Sequence, residues 1–272
     1  VRHHIVDTFA DDRFAGNPAA VVPVPAFPDD ETMQRVAYRI GLPTTAFVVP
    51  AAPGEYRVRW LTPYKEINLC GHATIASARC LFGLDSNADR TTLRFVSDNG
   101  ILYTERVGDL IAIDLPTADL HPADPPPGLL DALGLALGTD VVACAVSTDD
   151  ALVEVGSAGA VAAVRPHFAA LAGQPFRGHI ITARGTDGVD FVSRTFFPSL
   201  GVNEDQVCVT AHCKLAPFWA HRLGRGGLTA LQLSERGGRL SVEHRGDRVR
   251  VLGAAVRRGG VHELALDAVG SG

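Results

Sequence analysis

Apolar residues open the chain in a strand-like pattern: Ile5–Phe9 reads as one strand, Arg13-Phe14-Ala15-Gly16-Asn17-Pro18 as a turn and Ala19–Val24 as an apolar second strand. Asp29 and Asp30 then cap a helix in which Met33, Val36, Ala37 and Ile40 share one face; Gly41 ends it and Pro43 blocks its continuation. Phe47–Val49, Tyr56–Leu61, Thr92–Phe95, Gly100–Arg106 and Leu110–Leu115 follow as strands. Between them Ala73–Leu81 is nearly all apolar, which predicts a helix buried on every side. The Pro-rich segment Thr117–Pro127 reads as a linker. Beyond it the pattern predicts a short helix at Gly128–Leu135, strands near Asp140–Val146 and Ala151–Val155, and a helix over about Pro166–Leu171. Strands at His179–Thr182 and Phe191–Phe196 and a second apolar helix over roughly Ala211–Leu223 come next. Leu228–Leu233, Arg239–Arg245 and Val249–Val256 close the chain as strands.

One design occurs twice in this order. Arg59-Trp60-Leu61-Thr62-Pro63 leads to Glu66, then to Cys70-Gly71-His72-Ala73-Thr74 and an apolar helix pattern ending at Gly83. Arg194-Thr195-Phe196-Phe197-Pro198 leads to Asp205, then to Cys208-Val209-Thr210-Ala211-His212 and another such helix ending at Gly224. Each copy reads strand, Pro turn, acidic residue, Cys, helix N-terminus. A helix start presents unpaired N–H groups and positive potential, so two of them facing one another suit an anionic substrate and proton movement on a small carboxylate.

The 272 residues suit two domains, divided here as 1–116 and 117–272, with a return of the last residues to the first domain left open. A net charge of −5 without a basic stripe argues against nucleic acid or an anionic membrane as partner. The chain enters an apolar strand at once, with no charged-then-apolar leader, and no apolar run reaches the roughly 18 residues of a membrane span. Five cysteines without a CxxC pair fit cytosolic thiols better than disulfides or zinc, and the histidines show no ligand spacing, so no metal and a cytoplasmic location are expected. Two α+β lobes, each with a buried helix, fit the element order better than alternating βαβ units.

Asp7-Thr8-Phe9, Gly16-Asn17-Pro18-Ala19-Ala20-Val21-Val22, Cys70-Gly71-His72-Ala73-Thr74 and Phe197-Pro198 through Glu204-Asp205 together resemble the PhzF-like isomerases of phenazine biosynthesis, within the wider diaminopimelate-epimerase-like fold. The resemblance runs in order over nearly the whole chain. It implies two pseudo-symmetric lobes, each a curved mixed β-sheet wrapped around a central helix, with the site in the cleft between them, and a homodimer. It also implies cofactor-free proton transfer. The family's general acid/base Glu lies in a Ser-Glu-Thr segment; this chain reads Pro43-Thr44-Thr45, placing Thr44 where the Glu belongs. A threonine hydroxyl has no usable pKa near neutrality. The family's Glu-Asp-Pro-x-Thr-Gly-Ser-Ala is here Glu204-Asp205-Gln206-Val207-Cys208-Val209-Thr210-Ala211, which retains Asp205, puts Thr210 for the Ser and adds bulk at Val209.

His72 and Asp205 are therefore the first candidates for acid and base, since His titrates near neutrality and a partly buried Asp rises towards it. The plainer alternative is that His72 only donates a bond at a helix start and Asp205 only caps the second helix. Thr44, Thr45, Gly71, Thr74 and Thr210 are candidate contacts to the substrate carboxylate, or ordinary capping residues. Cys70 and Cys208 offer a two-thiol alternative, because a helix N-terminus favours a thiolate; buried structural thiols are the competing reading. Glu66 is a further alternative acid/base, or a solvated turn carboxylate. The expected function is a cofactor-independent isomerase moving a proton and a double bond in a small unsaturated or cyclic carboxylic acid, in secondary, antibiotic-like metabolism. Its rivals are a two-thiol epimerase or racemase and a non-catalytic small-molecule-binding or scaffold protein.

Overall fold

The computed structural model describes residues 1–135 and 138–265. The described residues fall into two compact units: Val1–Ala10, Asn17–Asp114 and those from Leu252 on form the first, and Asp11–Gly16 with those between Leu115 and Val251 the second.

In the first unit β1 (Arg2–Thr8) lies antiparallel to β2 (Asn17–Pro23). Helix α1 (Asp30–Ile40) starts where the Asp29 carboxylate accepts the Thr32 N–H at 2.8 Å and stops at Gly41, whose φ of 68° a residue with a Cβ rarely adopts. Its Met33, Val36 and Ala37 pack with Val22, Phe47 and Leu61. The helix thus returns the chain to β3 (Thr44–Ala52), parallel to β2. Strand β4 (Glu55–Leu61) runs antiparallel to β3, and the two-residue β5 (Glu66–Ile67) pairs with its end. Helix α2 (Gly71–Leu81) follows, then β6 (Thr92–Ser97), parallel to β4, and the antiparallel β7 (Gly100–Val107) and β8 (Leu110–Pro116). Every residue of α2 except Arg79 is buried. Its Thr74 and Ser77 hydroxyls avoid stranded polarity by donating to the carbonyls of Cys70 and Ala73 at 2.7 and 2.8 Å.

The second unit contains β9 (His121–Pro122), α3 (Leu129–Ala132), β10 (Val141–Val146), β11 (Asp150–Val155), α4 (Ala158–Ala163), α5 (Phe168–Ala172) and β12 (Gly178–Arg184). Then come β13 (Phe191–Phe197), β14 (Val202–Asp205), α6 (Val209–Leu223), β15 (Gly227–Gln232), β16 (Gly238–Arg245) and β17 (Arg248–Arg257). The last residues of β17, and β18 (His262–Glu263), pair with β1 in the first unit. Strands β11 and β12 are parallel across a helical connection, β12 and β13 antiparallel, and β15 is parallel to β13 and antiparallel to β16. The first unit has the same sequence of pairings, so the repeat seen in the residues is also a repeat of topology.

Several elements differ from the pattern-based expectation. Thr117–Pro127 is no free linker: β9 pairs with β10, and the Ala118 N–H reaches the Cys213 carbonyl at 3.2 Å. That carbonyl needs a partner because Pro217, four residues on in α6, has no N–H to give it. The helix expected over Gly128–Leu135 is only Leu129–Ala132. Helix α4, Ala-Gly-Ala-Val-Ala-Ala, is additional to the pattern-based elements, because it buries Val161 alone and so lacks an apolar stripe. The short strands β5, β9, β14 and β18 are too brief to show a period. No helix among the described residues is long and apolar enough to cross a membrane.

Candidate active site

Arg59 in β4 makes a two-pronged bond to Glu66, with Nε to Oε1 at 2.7 Å, and its other amino group reaches Asp30 at 2.8 Å. The chain then enters α2 through Cys70, whose extended backbone (φ −143°, ψ 101°) caps the helix without any side-chain cap bond. The Cys70 thiol lies 3.4 Å from His72 Nδ1 and 3.5 Å from the Thr44 hydroxyl. One S–H serves only one of these neighbours at a time, so thiol, imidazole and hydroxyl form a small exchangeable set. Thr44, first in β3, is buried, as are Thr45, Gly71, His72 and Thr74. Burial pushes the His72 imidazole down to about 4, so it is neutral at pH 7. The Thr45 hydroxyl has no partner among the described residues.

The second unit repeats the arrangement with other details. Arg194 in β13 grips Glu204 with Nε to Oε1 at 2.7 Å and a second prong at 2.9 Å, and its remaining nitrogen donates to the Val164 carbonyl at 2.9 Å. Cys208 caps α6, again with no side-chain cap bond, and its sulfur is 3.3 Å from the hydroxyl of half-buried Thr210. Burial, and next the negative charge of Asp205, push the Cys208 thiol well above its ordinary range. His212 donates Nδ1–H to the Cys208 carbonyl at 2.7 Å, which fixes its tautomer and leaves Nε2 an acceptor with no partner among the described residues.

The arrangement corrects one register of the repeat. Glu66 precedes Cys70 by four residues and is held by a strand arginine; Glu204 precedes Cys208 by four and is held the same way. The counterpart of Glu66 is therefore Glu204, and Asp205 stands where the first copy has Ile67. Glu66 is committed to an ion pair with Arg59.

Cys70, His72, Thr44 and Thr74 come together at the start of α2, and Asp205, Cys208 and Thr210 at the start of α6. Sequence reasoning gave no role to Gln232, which bonds to Asp205, Cys208 and Thr195. A strand-end Gln carries no such signal, as its partners lie 24 to 37 residues away. A cavity of about 440 Å³ in the second unit is lined by Lys214, Pro217, Phe218 and Arg222 and by none of the expected site residues. Its cations are spent: Lys214 pairs with Asp150 at 2.7 Å and Arg222 with Glu154 at 2.9 Å. No group of three or more metal-ligating side chains gathers among the described residues, and all five cysteines are buried free thiols.

This strand-rich fold recurs in solved structures. It superposes with a TM-score of 0.60 on a hydroxyproline epimerase from Agrobacterium vitis, over 98% of this chain and 94% of that one, at only 14% identity, a likeness of fold alone. A closer likeness is the PhzF family protein of Enterococcus faecalis, with a TM-score of 0.89, 38% identity, and coverage of 97% and 99% of the two chains. Residues 6–259 match the family model described as phenazine biosynthesis-like protein, and the chain belongs to that family. An uncharacterized isomerase of Pseudomonas aeruginosa is 48% identical over 92% of this chain and 93% of its own. The human phenazine biosynthesis-like domain-containing protein is 34% identical over 92% and 94%.

Proposed function

We propose that the protein is a cofactor-independent isomerase that moves a proton, and with it a double bond, within a small unsaturated or cyclic carboxylic acid of secondary metabolism. The observation that carries this reading is the buried, neutral His72 beside the Cys70 thiol and the Thr44 hydroxyl at an uncapped helix start. The isomerase names of relatives up to 48% identical support the reaction class. The imidazole takes a proton from an acidic C–H, the electron pair delocalises into the conjugated carboxylate, and the imidazolium, its N–H exchanging with solvent, returns a proton at another carbon as the double bond shifts. Helix N–H groups at Gly71 and its neighbours, with the Thr44 and Thr45 hydroxyls, hold the anionic intermediate. Asp205 is the second titratable group assigned to the reaction, with Thr210 beside it as a carboxylate contact, and Val209 narrows the substrate's shape there.

The Cys70–His72 contact takes over the place that Thr44 leaves without a carboxylate. A two-thiol mechanism is disfavoured because burial and Asp205 hold Cys208 protonated. The test is NMR in D₂O with a panel of unsaturated and pyrroline-type carboxylic acids. Deuterium entering one acid at two carbons of a single conjugated system is the expected result. Exchange confined to one stereocentre with inversion would favour an epimerase. Tight binding of an acid without any exchange would make the protein a binder.

A further inference from the structure

Gln232, the last residue of β15, is fully buried, where a primary amide is costly unless both its donor and acceptor sides are used. They are. Nε2 donates to the Thr195 hydroxyl at 3.0 Å and to the Asp205 carbonyl at 2.5 Å, while Oε1 accepts the Cys208 N–H at 2.9 Å. Asp205 and Cys208 are three residues apart, the separation that a β-turn closes with a carbonyl-to-N–H bond. Here a side-chain amide is inserted into that bond and serves both ends. The grip continues along the chain. Ser234 donates its hydroxyl to the Gln206 carbonyl at 2.7 Å and accepts the Gly237 N–H at 3.1 Å, and the Arg236 N–H donates to Gln206 Oε1 at 3.1 Å. Arg236 is itself anchored to the Gly16 and Ala15 carbonyls at 2.7 and 2.9 Å.

We propose that Gln232 is a positioning residue for the second helix start. It fixes the turn from Asp205 to Cys208, and thereby the direction of the Asp205 carboxylate, whose charge acts on the Cys208 thiol at the start of α6. The Arg194–Glu204 pair secures the strand before this turn. Only a group with a donor and an acceptor on one plane bridges both ends: ionised Glu has no donor, Leu has neither, and Asn is one methylene short. The catalytic part of the proposal rests on the assignment of Asp205 to the isomerisation.

The experiment uses the full chain as wild type, Gln232→Leu and the near-isosteric Gln232→Glu, the second standing in if the first does not fold. Three readouts are taken on folded protein: the ¹³Cγ titration of Asp205, hydrogen exchange of the Cys208 amide, and kcat and KM for deuterium incorporation. Expected are a displaced Asp205 titration, Cys208 exchange faster by about 10-fold, one RT ln 10 of lost protection, and kcat lower by about 100-fold, with a smaller change in KM. Titration and amide exchange that superimpose on wild type, with only a lower melting temperature, would overturn the proposal. The first two readouts need no substrate, so they decide on Gln232 even if the wild type exchanges nothing and the isomerase reading falls. A displaced titration with unchanged kcat would support the positioning role and remove Asp205 from the reaction.

Discussion

Burial decides what His72 can do. An imidazole held down to about 4 is neutral throughout the physiological range, so its basic form is always present, and it loses that form only in acid. The exchange rate is therefore expected to hold from neutrality down to about pH 5 and to fall through a midpoint near 4, read from a pH–rate profile corrected for unfolding. The two thiols separate by the same reasoning. Cys70 touches the imidazole and burial holds the Cys208 thiol protonated, so Cys70→Ala should cost about 10-fold in rate and Cys208→Ala less. Loss of all activity in Cys208→Ala would instead support the two-thiol mechanism. The residue types of this cluster were legible in the Cys70-Gly71-His72 run and in Thr44. The neutrality of His72 was not, because it follows from α2 being buried on nearly all sides.

The paired arginines act on elements. Each ties a long strand to the short strand that feeds a Cys-capped helix, but in different surroundings. The side chains of Arg194 and Glu204 are 11% and 15% exposed, those of Arg59 and Glu66 22% and 42%. Removing one partner of a buried pair strands the other charge, whereas an exposed pair is largely replaced by water. Arg194→Ala should therefore destabilise by about 3–5 kcal/mol and Arg59→Ala by about 1 kcal/mol, as measured by urea unfolding. Arg194→Lys should recover only part, since an ammonium cannot reproduce the fork. Equal costs at the two sites would contradict the assigned burial. Periodicity revealed α1, α2 and α6, whose apolar faces are wide, but not β14 or α4, which bury too little to leave a pattern. The pairing of Glu66 with Glu204 as counterparts lies in their equal four-residue spacing to Cys70 and Cys208, which Asp205 breaks, and the bonds to Arg59 and Arg194 repeat it in the structure.

At the scale of the whole molecule, two histidines set an acid limit to stability. His72 and His212 are both buried, and burial lowers each to about 4 from the ordinary 6.5. Between these values the unfolded chain binds protons that the folded chain refuses. Their contribution is thus fully present above pH 6.5 and is lost as pH falls towards 4, on the order of 3 kcal/mol each. Urea midpoints should drop steeply over that window, and His212→Gln should flatten the slope; an unaltered slope in that variant would contradict the buried, neutral state. The duplicated order of strand, turn, Cys and helix was readable along the chain, and the structure extends it to a shared order of parallel and antiparallel pairings. Those pairings join residues far apart in sequence, such as Phe191 with Ala230, and no local pattern encodes them.

The central claim is that His72 moves the proton. The most direct test is the rate of deuterium incorporation into an exchanging acid by His72→Gln, compared with wild type at pH 7 on protein shown to be folded. The account predicts a loss of at least about 100-fold, with binding of the acid retained. Exchange at the wild-type rate would contradict it and move the chemistry to another residue.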